Sequence, residues 1–284
     1  MRIDAGVVVK VKEIDSMYRY TWDTRAIAHV TGISHGSVAK ILREYRGPKP
    51  TRKKPKHDRR TKFFLRDVMW SSDGTEADNG TIILRTIDEK TDYPLGWDIV
   101  DSENADEVTA HAESAIMRMG RAPLVWKFDN SGGFKSRKFR EFIGKYGIIP
   151  YPIRKRTPWT NGRTEREHRD THQWLAPVIK KLSSKEEIQK DLNEGMLMLN
   201  YVKPRAVLGY RTTAQAYFSD KGVTEQDRKE LWEEVEKVRG KFVEYNHRKV
   251  VRVAMQKLGL YEEYLVTEKR LVSVNRSQRH NVAI

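Results

Sequence analysis

Three carboxylates carry the chemistry this chain could perform: Asp73, Asp129 and Glu165. Asp73 closes a run of strand character at 68–73, Asp129 closes another at 124–129, and Glu165 falls in a polar helical stretch. Ends of adjacent strands lie only ~5 Å apart, and a helix packed over the same edge can bring a third carboxylate to that point. Clustered carboxylates repel unless a cation neutralises them, so the arrangement predicts a site for a hard cation, Mg²⁺ or Mn²⁺. Two such ions ~3.5 to 4 Å apart would activate an attacking oxygen and stabilise the leaving oxygen of an in-line phosphoryl displacement. Each aspartate taken singly is better read as a strand-end or solvent-facing residue; the three together carry the reading.

Glu165 belongs to the segment 158–174, PWTNGRTEREHRDTHQW. Its first two helical turns are almost wholly polar, and Glu165, Arg169 and His172 share one face at i, i+4 and i+7. Without an apolar stripe there, the helix start is not expected to be buried like its neighbours, and this face is expected to address a charged substrate. His168 and His172 also have the i, i+4 spacing of a zinc pair, but no cysteine and no clear third ligand accompany them, which makes a weak site. Around the segment, Arg154, Lys155, Arg156 and Arg163 are placed to bind phosphates, and Trp159 to stack on an unpaired base. A solvated basic loop and a packed tryptophan are the plainer alternatives.

The elements that must position these groups follow from the rest of the chain. Its 284 residues are 38% hydrophobic and 33% charged, enough for a folded chain with a core. The net charge of +15 favours a polyanionic partner, nucleic acid or an acidic membrane surface. No apolar run approaches the ~20 residues of a membrane span, and no signal-peptide pattern opens the sequence. The expectation is a cytoplasmic protein without a membrane partner. With no cysteine, thiolate nucleophiles and disulfides are excluded, and metals must be held by carboxylate, imidazole or carbonyl.

Residues 1–47 read as an all-α DNA-binding unit. Val7, Val8, Val11, Ile14 and Met17 have helical spacing. A helix-turn-helix follows at 24–43, with Ala28 at the close approach, Gly32 at the turn, Ser34 as a cap, and Val38 and Ile41 facing inward. His35, Ser37, Lys40 and Arg43 are the short polar or basic groups it offers to a major groove. Residues 48–63 read as a basic, proline-containing linker, with Arg52, Lys53 and Lys54 suited to a phosphate backbone. Residues 64–220 give strand, strand, strand, helix, strand, helix, strand, helix, that is, an α/β mixed five-stranded sheet with flanking helices. In the third strand Leu95, Trp97 and Ile99 share one face, and Gly96, Asp98 and Val100 the other. Asn104 opens a helix with Val108, Ala112, Ala115, Ile116 and Met119 inward, closed by Gly120, and a second helix turns Phe139, Phe142, Ile143 and Tyr146 inward. Residues 221–284 read as a charged, mainly helical region without evident chemistry.

Residues 70–217 resemble the integrase catalytic core shared by retroviral integrases and bacterial insertion-sequence DDE transposases. The markers are Trp70-Ser-Ser-Asp73, Ile87-Asp88 with Gly96-Trp97, Phe128-Asp129-Asn130, and Pro158-x-x-Asn161-Gly162-x-x-Glu165-Arg166. Lys203-Pro204-Arg205 and Leu208-Gly209-Tyr210-Arg211-Thr212 resemble the segment that closes the core in the insertion-sequence branch. Asp129 and Glu165 differ by 165 minus 129, or 36, leaving the 35 intervening residues of a D,D-35-E pattern. The chain departs from the pattern at Ser131, where glycine is usual, with Gly132 and Gly133 following. The resemblance implies a ribonuclease H-like fold in which Asp73, Asp129 and Glu165 bind two Mg²⁺ or Mn²⁺ ions. It also implies a homo-oligomer on double-stranded DNA, transposon ends and target, which hydrolyses a phosphodiester and transfers the freed strand. Two rivals stand beside it: a catalytically inactive, domesticated DNA-binding regulator, and a ribonuclease H-like nuclease without joining activity. Asp88, an acid in the second-strand segment outside the triad, is expected to tolerate Asp88→Asn with most activity kept.

Overall fold

A computed structural model of the chain describes residues 3–47, 58–77, 79–153, 162–179, 184–240, 246–267 and 270–273, with only the backbone at 58–60, 162–167, 265–267 and 270–273. The chain starts with three helices, α1 (Ala5–Met17), α2 (Thr24–Thr31) and α3 (His35–Arg46). Each start is fixed by a capping side chain: Asp4 accepts from Gly6 N, Asp23 from Arg25 N and Ala26 N, and Ser34 from Ser37 N. Gly32, at φ 70°, supplies the left-handed residue that closes α2. Val11, Trp22, Ile27, Val38, Ile41 and Leu42 form the core of this unit. The buried Asp15 ties α1 to α3 through Arg46. Met17 does not join the core; it ends α1 exposed.

The main sheet has the strands β2 (Met69–Glu76), β3 (Ile82–Asp88), β4 (Pro94–Val100), β5 (Val125–Phe128) and β6 (Ile149–Pro152), after a first strand β1 (Asp58–Phe63) that lies elsewhere. Its order is β4-β3-β2-β5-β6, antiparallel across β4, β3 and β2 and parallel across β2, β5 and β6. This is the ribonuclease H-like mixed sheet expected from the sequence. On one face Trp70, Leu84, Trp126 and Phe128 pack against α4 (Ala105–Met119), the short α5 (Gly132–Lys135), α6 (Arg137–Lys145) and, through Tyr217, α9 (Thr213–Ser219). On the other, Ile83 and Ile99 meet Trp174 and Leu175 of α7 (Gly162–Ile179) and Ile188 and Leu192 of α8 (Lys185–Leu197). Met69, Val125 and Ile149 on that same side meet Leu231, Val235 and Val238 of α10 (Glu225–Arg239) and Val250, Val251 and Ala254 of α11 (His247–Lys257).

Several details differ from the sequence reading for local physical reasons. A bulge between Thr86 and Ile87 breaks the alternation of β4, so Leu95 packs with the α4 face instead of sharing a face with Trp97 and Ile99. Tyr146 follows the last turn of α6 and is exposed, its ring tilted against Phe142. The linker expected at 48–63 ends early: Asp58–Phe63 is a strand, and Phe63 is buried against Tyr261. Its partner is β7 (Tyr261–Thr267), antiparallel, which also pairs β8 (Arg270–Ser273). The C-terminal region is therefore helix plus sheet. Opposite Lys62 and Thr61 stand Glu262 and Glu263, so a basic strand is matched to an acidic one that local sequence cannot pair with it.

Candidate active site

The register of β2 and β5 sets the site. Met69 pairs Val125 and Ser72 pairs Phe128, so the next positions along the two strands are Asp73 and Asp129. Alternation turns odd-numbered residues of both strands to the α7 side of the sheet. Along that face three layers succeed one another: apolar Met69 and Val125, then Ser71 and Lys127, both bonded to the buried Glu89, then the two aspartates. Asp73 is not a strand end. It lies inside β2 opposite Arg85 of β3, and β2 runs on to Glu76. Asp129 follows the last residue of β5, and its Oδ1 accepts from Ser131 N at 2.9 Å.

A fourth acid, Glu103, joins them from the loop before α4. Its Oε1 lies against the backbone of Gly74, the residue after Asp73, so closely that a Cβ there would come within 1.9 Å. Burial pushes the Glu103 carboxyl up, the Ser131 side chain opposes this, and the charges of Asp129 and Asp73 push it further up. The Ser131 departure is absorbed without strain, because Ser131 is extended, at φ −63°. The glycine this loop requires is Gly133, where a Cβ would lie 2.5 Å from Glu103 O and 2.7 Å from Asn104 O. Sequence reading passed over Glu103 because it adjoins the Asn104 cap. The signal that could have found it is an acid placed just before a helix that starts at the same sheet edge.

Helix α7 crosses the β2 and β3 side of this edge with a polar stripe, and the stripe is buried. Thr171 is 1% exposed and His168 7%. Thr171 Oγ1 accepts from Arg85 Nη1 at 2.5 Å, His172 Nε2 bonds Thr75 Oγ1 at 2.8 Å, and His168 Nε2 stands 3.6 Å from Asp73 Oδ2. His168 and Thr171, polar residues of this helix, are thus buried, with strand residues Arg85 and Thr75 as partners for Thr171 and His172, while the side chains of 162–167 fall outside the described residues. The two histidines address Asp73 and Thr75 separately, which is not the convergence of a zinc pair. Arg169 is exposed and does not lie on that buried stripe. Glu165 lies in the first turn of α7, three residues before His168; its side chain and that of Arg163 fall outside the described residues, as do residues 154–156 and Trp159. Among the described residues no group of three or more His, Asp or Glu converges on a common metal position.

Behind β2, on the α4 face, a buried chain of hydrogen bonds fixes Ser72. Trp126 Nε1 donates to Ser72 Oγ at 2.8 Å, Ser72 and Thr86 hydroxyls are 2.6 Å apart, Thr86 Oγ1 is 2.8 Å from His111 Nε2, and His111 Nδ1 is 2.5 Å from Asp98 Oδ2. The consistent direction has each group donating to the next, ending with His111 Nδ1–H on Asp98. Gly96 makes room for this imidazole, since a Cβ there would lie 2.9 Å from His111 Cε1.

On the N-terminal unit, Lys40 and Arg43 of α3 are exposed. His35 and Ser37 are engaged within the unit, His35 Nε2 with Thr24 Oγ1 at 2.8 Å and Ser37 Oγ with Ser34 Oγ at 2.9 Å. Arg52, Lys53 and Lys54 lie outside the described residues. The unit docks on the core through the turn after α1, where Arg19 and Tyr20 take left-handed backbone at φ 48° and 63°. Arg19 forms a bidentate pair with Asp191, at 2.6 and 2.8 Å, donates to Trp174 O at 2.6 Å and stacks over the Trp174 ring. Lys203 Nζ donates to Thr21 O at 2.5 Å and to Asp170 Oδ2 at 2.6 Å, and His29 stacks on Tyr210. Lys203 and Tyr210 belong to the two late core segments singled out in the sequence.

The sheet order and the helices around it define a ribonuclease H-like core. Residues 66–158 match the family described as the integrase core domain, about a third of the chain. The match stops short of Glu165. Among solved structures, the simian T-cell lymphotropic virus intasome in complex with PP2A regulatory subunit B56 gamma is 16% identical, covering 75% of this chain and 76% of that one at a TM-score of 0.52. The catalytic core domain of BIV integrase is 21% identical over 54% of this chain and 94% of its own, at a TM-score of 0.45. The HTLV-2 integrase catalytic core domain in complex with magnesium is 19% identical over 55% of this chain and 99% of its own, at a TM-score of 0.46. No curated protein matches. Among the described residues no helix is long and apolar enough to cross a membrane.

Proposed function

We propose that this chain is a DNA transposase or integrase that hydrolyses a phosphodiester and transfers the freed strand, with Asp73, Asp129 and Glu165 as its catalytic and metal-binding triad. The observation that carries the reading is the β2–β5 register, which sets Asp73 and Asp129 side by side at the edge crossed by the helix that bears Glu165. The donor set fits Mg²⁺ or Mn²⁺: the oxygens are hard, and the charges of Asp129 and Asp73 add to burial in pushing the Glu103 carboxyl up. Bound there, two ions would supply activation of the attacking oxygen and charge stabilisation at the leaving oxygen.

The chain's own residues do the rest. Asp73 is fixed in mid-strand between Ser72, held by its hydrogen-bond chain, and Gly74, covered by Glu103. Exposed Lys40 and Arg43 of α3 suit duplex DNA in a helix-turn-helix arrangement, and the net charge of +15 favours the same partner. Arg52, Lys53, Lys54, Arg154, Lys155, Arg156, Arg163 and Arg169 would add phosphate-binding groups and Trp159 a stacking group, and joining two DNA ends calls for at least two copies of the core.

The test uses purified full-length protein, labelled duplexes from the DNA flanking its gene, a plasmid target, and Mg²⁺ or Mn²⁺. Asp73→Asn, Asp129→Asn and Glu165→Gln keep side-chain size and remove one charge each. Cleavage and joining should fall by on the order of 10²-fold or more while duplex binding stays close to parental. A Glu165→Gln protein that cuts and joins at the parental rate removes the assignment; cutting without joined products leaves a nuclease.

A further inference from the structure

Among the described residues of the inward stripe of α7, Thr171 and His172 meet hydrogen-bond partners on the sheet and His168 does not. Thr171 has Arg85 and His172 has Thr75, whereas both ring nitrogens of the buried His168 lack any hydrogen-bond partner. Among the described residues the charged group it faces is Asp73, whose Oδ2 lies 3.6 Å from Nε2, beyond hydrogen-bond length but within reach of an ion pair. An unpaired imidazole in the interior is disfavoured, and such groups in native proteins call for a use. Packing does not demand one here, since the same position on an α-helix accepts an apolar side chain at lower desolvation cost.

We propose that His168 is a positioning residue for Asp73: its Nε2–H restrains the Oδ2 side of the carboxylate, so that Asp73 presents a fixed orientation to a cation. The idea rests on the metal-binding role proposed for Asp73. It does not require protonation of the ring, because a neutral imidazole carrying hydrogen on Nε2 suffices. His172 supports the arrangement from one turn further on, since its bond to Thr75, two residues along β2 from Asp73, sets the height of α7 on the strand. Residues that orient a metal-binding side chain change affinity or activity by about 10- to 100-fold when removed.

The experiment measures Mn²⁺ binding to the full chain by calorimetry, alongside cleavage kinetics, for His168→Phe, His168→Leu and His168→Asn. Phenylalanine and leucine fill the space without a donor, and leucine carries the comparison if the larger ring does not fit; asparagine keeps an N–H. The expected result is Mn²⁺ affinity about 10- to 100-fold weaker in the apolar variants, a comparable fall in kcat with the KM for DNA unchanged, and recovery of most of both in the asparagine variant. Parental Mn²⁺ affinity in folded apolar variants overturns the proposal, and so does an equal loss in all three, which would mark a packing role. Failure of the underlying reading looks different: Asp73→Asn would then bind Mn²⁺ as well as the parent does, whatever stands at 168.

Discussion

Asp88 is buried to 1% exposure between the start of β2 and the turn after β3, where it accepts from Asp67 N at 2.8 Å, Thr91 N at 2.9 Å and Thr91 Oγ1 at 2.8 Å. Burial above all, and then the charge of Asp67, push its pKa up to about 7, while those three donors pull it down. Asp67 itself is held by Arg66, Trp70 Nε1 and Tyr217 OH, so two acids share one buried corner. Asp88→Asn is therefore no bystander: an amide NH₂ would face the Thr91 donors, and we expect a loss of about 1 to 3 kcal/mol of stability. A carboxyl whose pKa is raised on folding stabilises the fold fully below its ordinary 3.8 and loses that contribution as pH rises through about 7. The parent should thus lose stability across this window through Asp88, and Asp88→Asn should be flatter, as urea unfolding at several pH values will show; parallel curves would refute this. His168 and Glu103 mark the limit of reading at this scale. The sequence offers His168 only as half of a zinc spacing, and Glu103 only as a neighbour of a cap, because the partners of both come from distant strands and loops.

At the scale of elements, what a few neighbouring residues decide was legible. Ser34 and Asn104 cap helices and Gly32 and Gly120 close them through contacts within one turn. What depends on a distant partner was not: the buried polar stripe of α7 needs Arg85, Thr75 and Asp73, and β1 needs β7. The docking of the N-terminal unit belongs to this second kind. Arg19 sits over Trp174 and grips Asp191 of α8, so the same contact touches the helix that carries Glu165 and the helix after it. Removing Arg19 leaves Asp191, with a side chain 11% exposed, without its bidentate partner. Arg19→Ala should cost about 2 kcal/mol, and a double-mutant cycle with Asp191→Ala should return a coupling of about 1 to 3 kcal/mol. A coupling near zero would mean that the contact does not hold the unit in place.

For the whole molecule, the positive balance and the layered core lead to separate expectations. If the charge of +15 serves duplex binding, affinity should fall on the order of 10³-fold between about 50 and 200 mM salt, and a flat titration would count against it. The core predicts a different failure. Leu231, Val235, Val250 and Val251 cover Met69, Val125 and Ile149, so a fragment 64–220, cut where the sequence suggested a core ends, bares an apolar sheet face. It should aggregate and bind a hydrophobic dye, whereas 58–273 should stay monodisperse by light scattering; a monodisperse 64–220 fragment with a cooperative melt would show the two regions to be independent. The pairing of β1 with β7 has a last consequence. Asp58 stands opposite Val266, so the strand that leads into the core and a strand formed after it run side by side in opposite directions. A turn of a few residues from Thr267 to Asp58 would make them an ordinary hairpin, at the loss of β8. The order in which this core is strung along its gene is then one of several that the same architecture accepts, and a circular permutant with new ends opened in an exposed turn should fold.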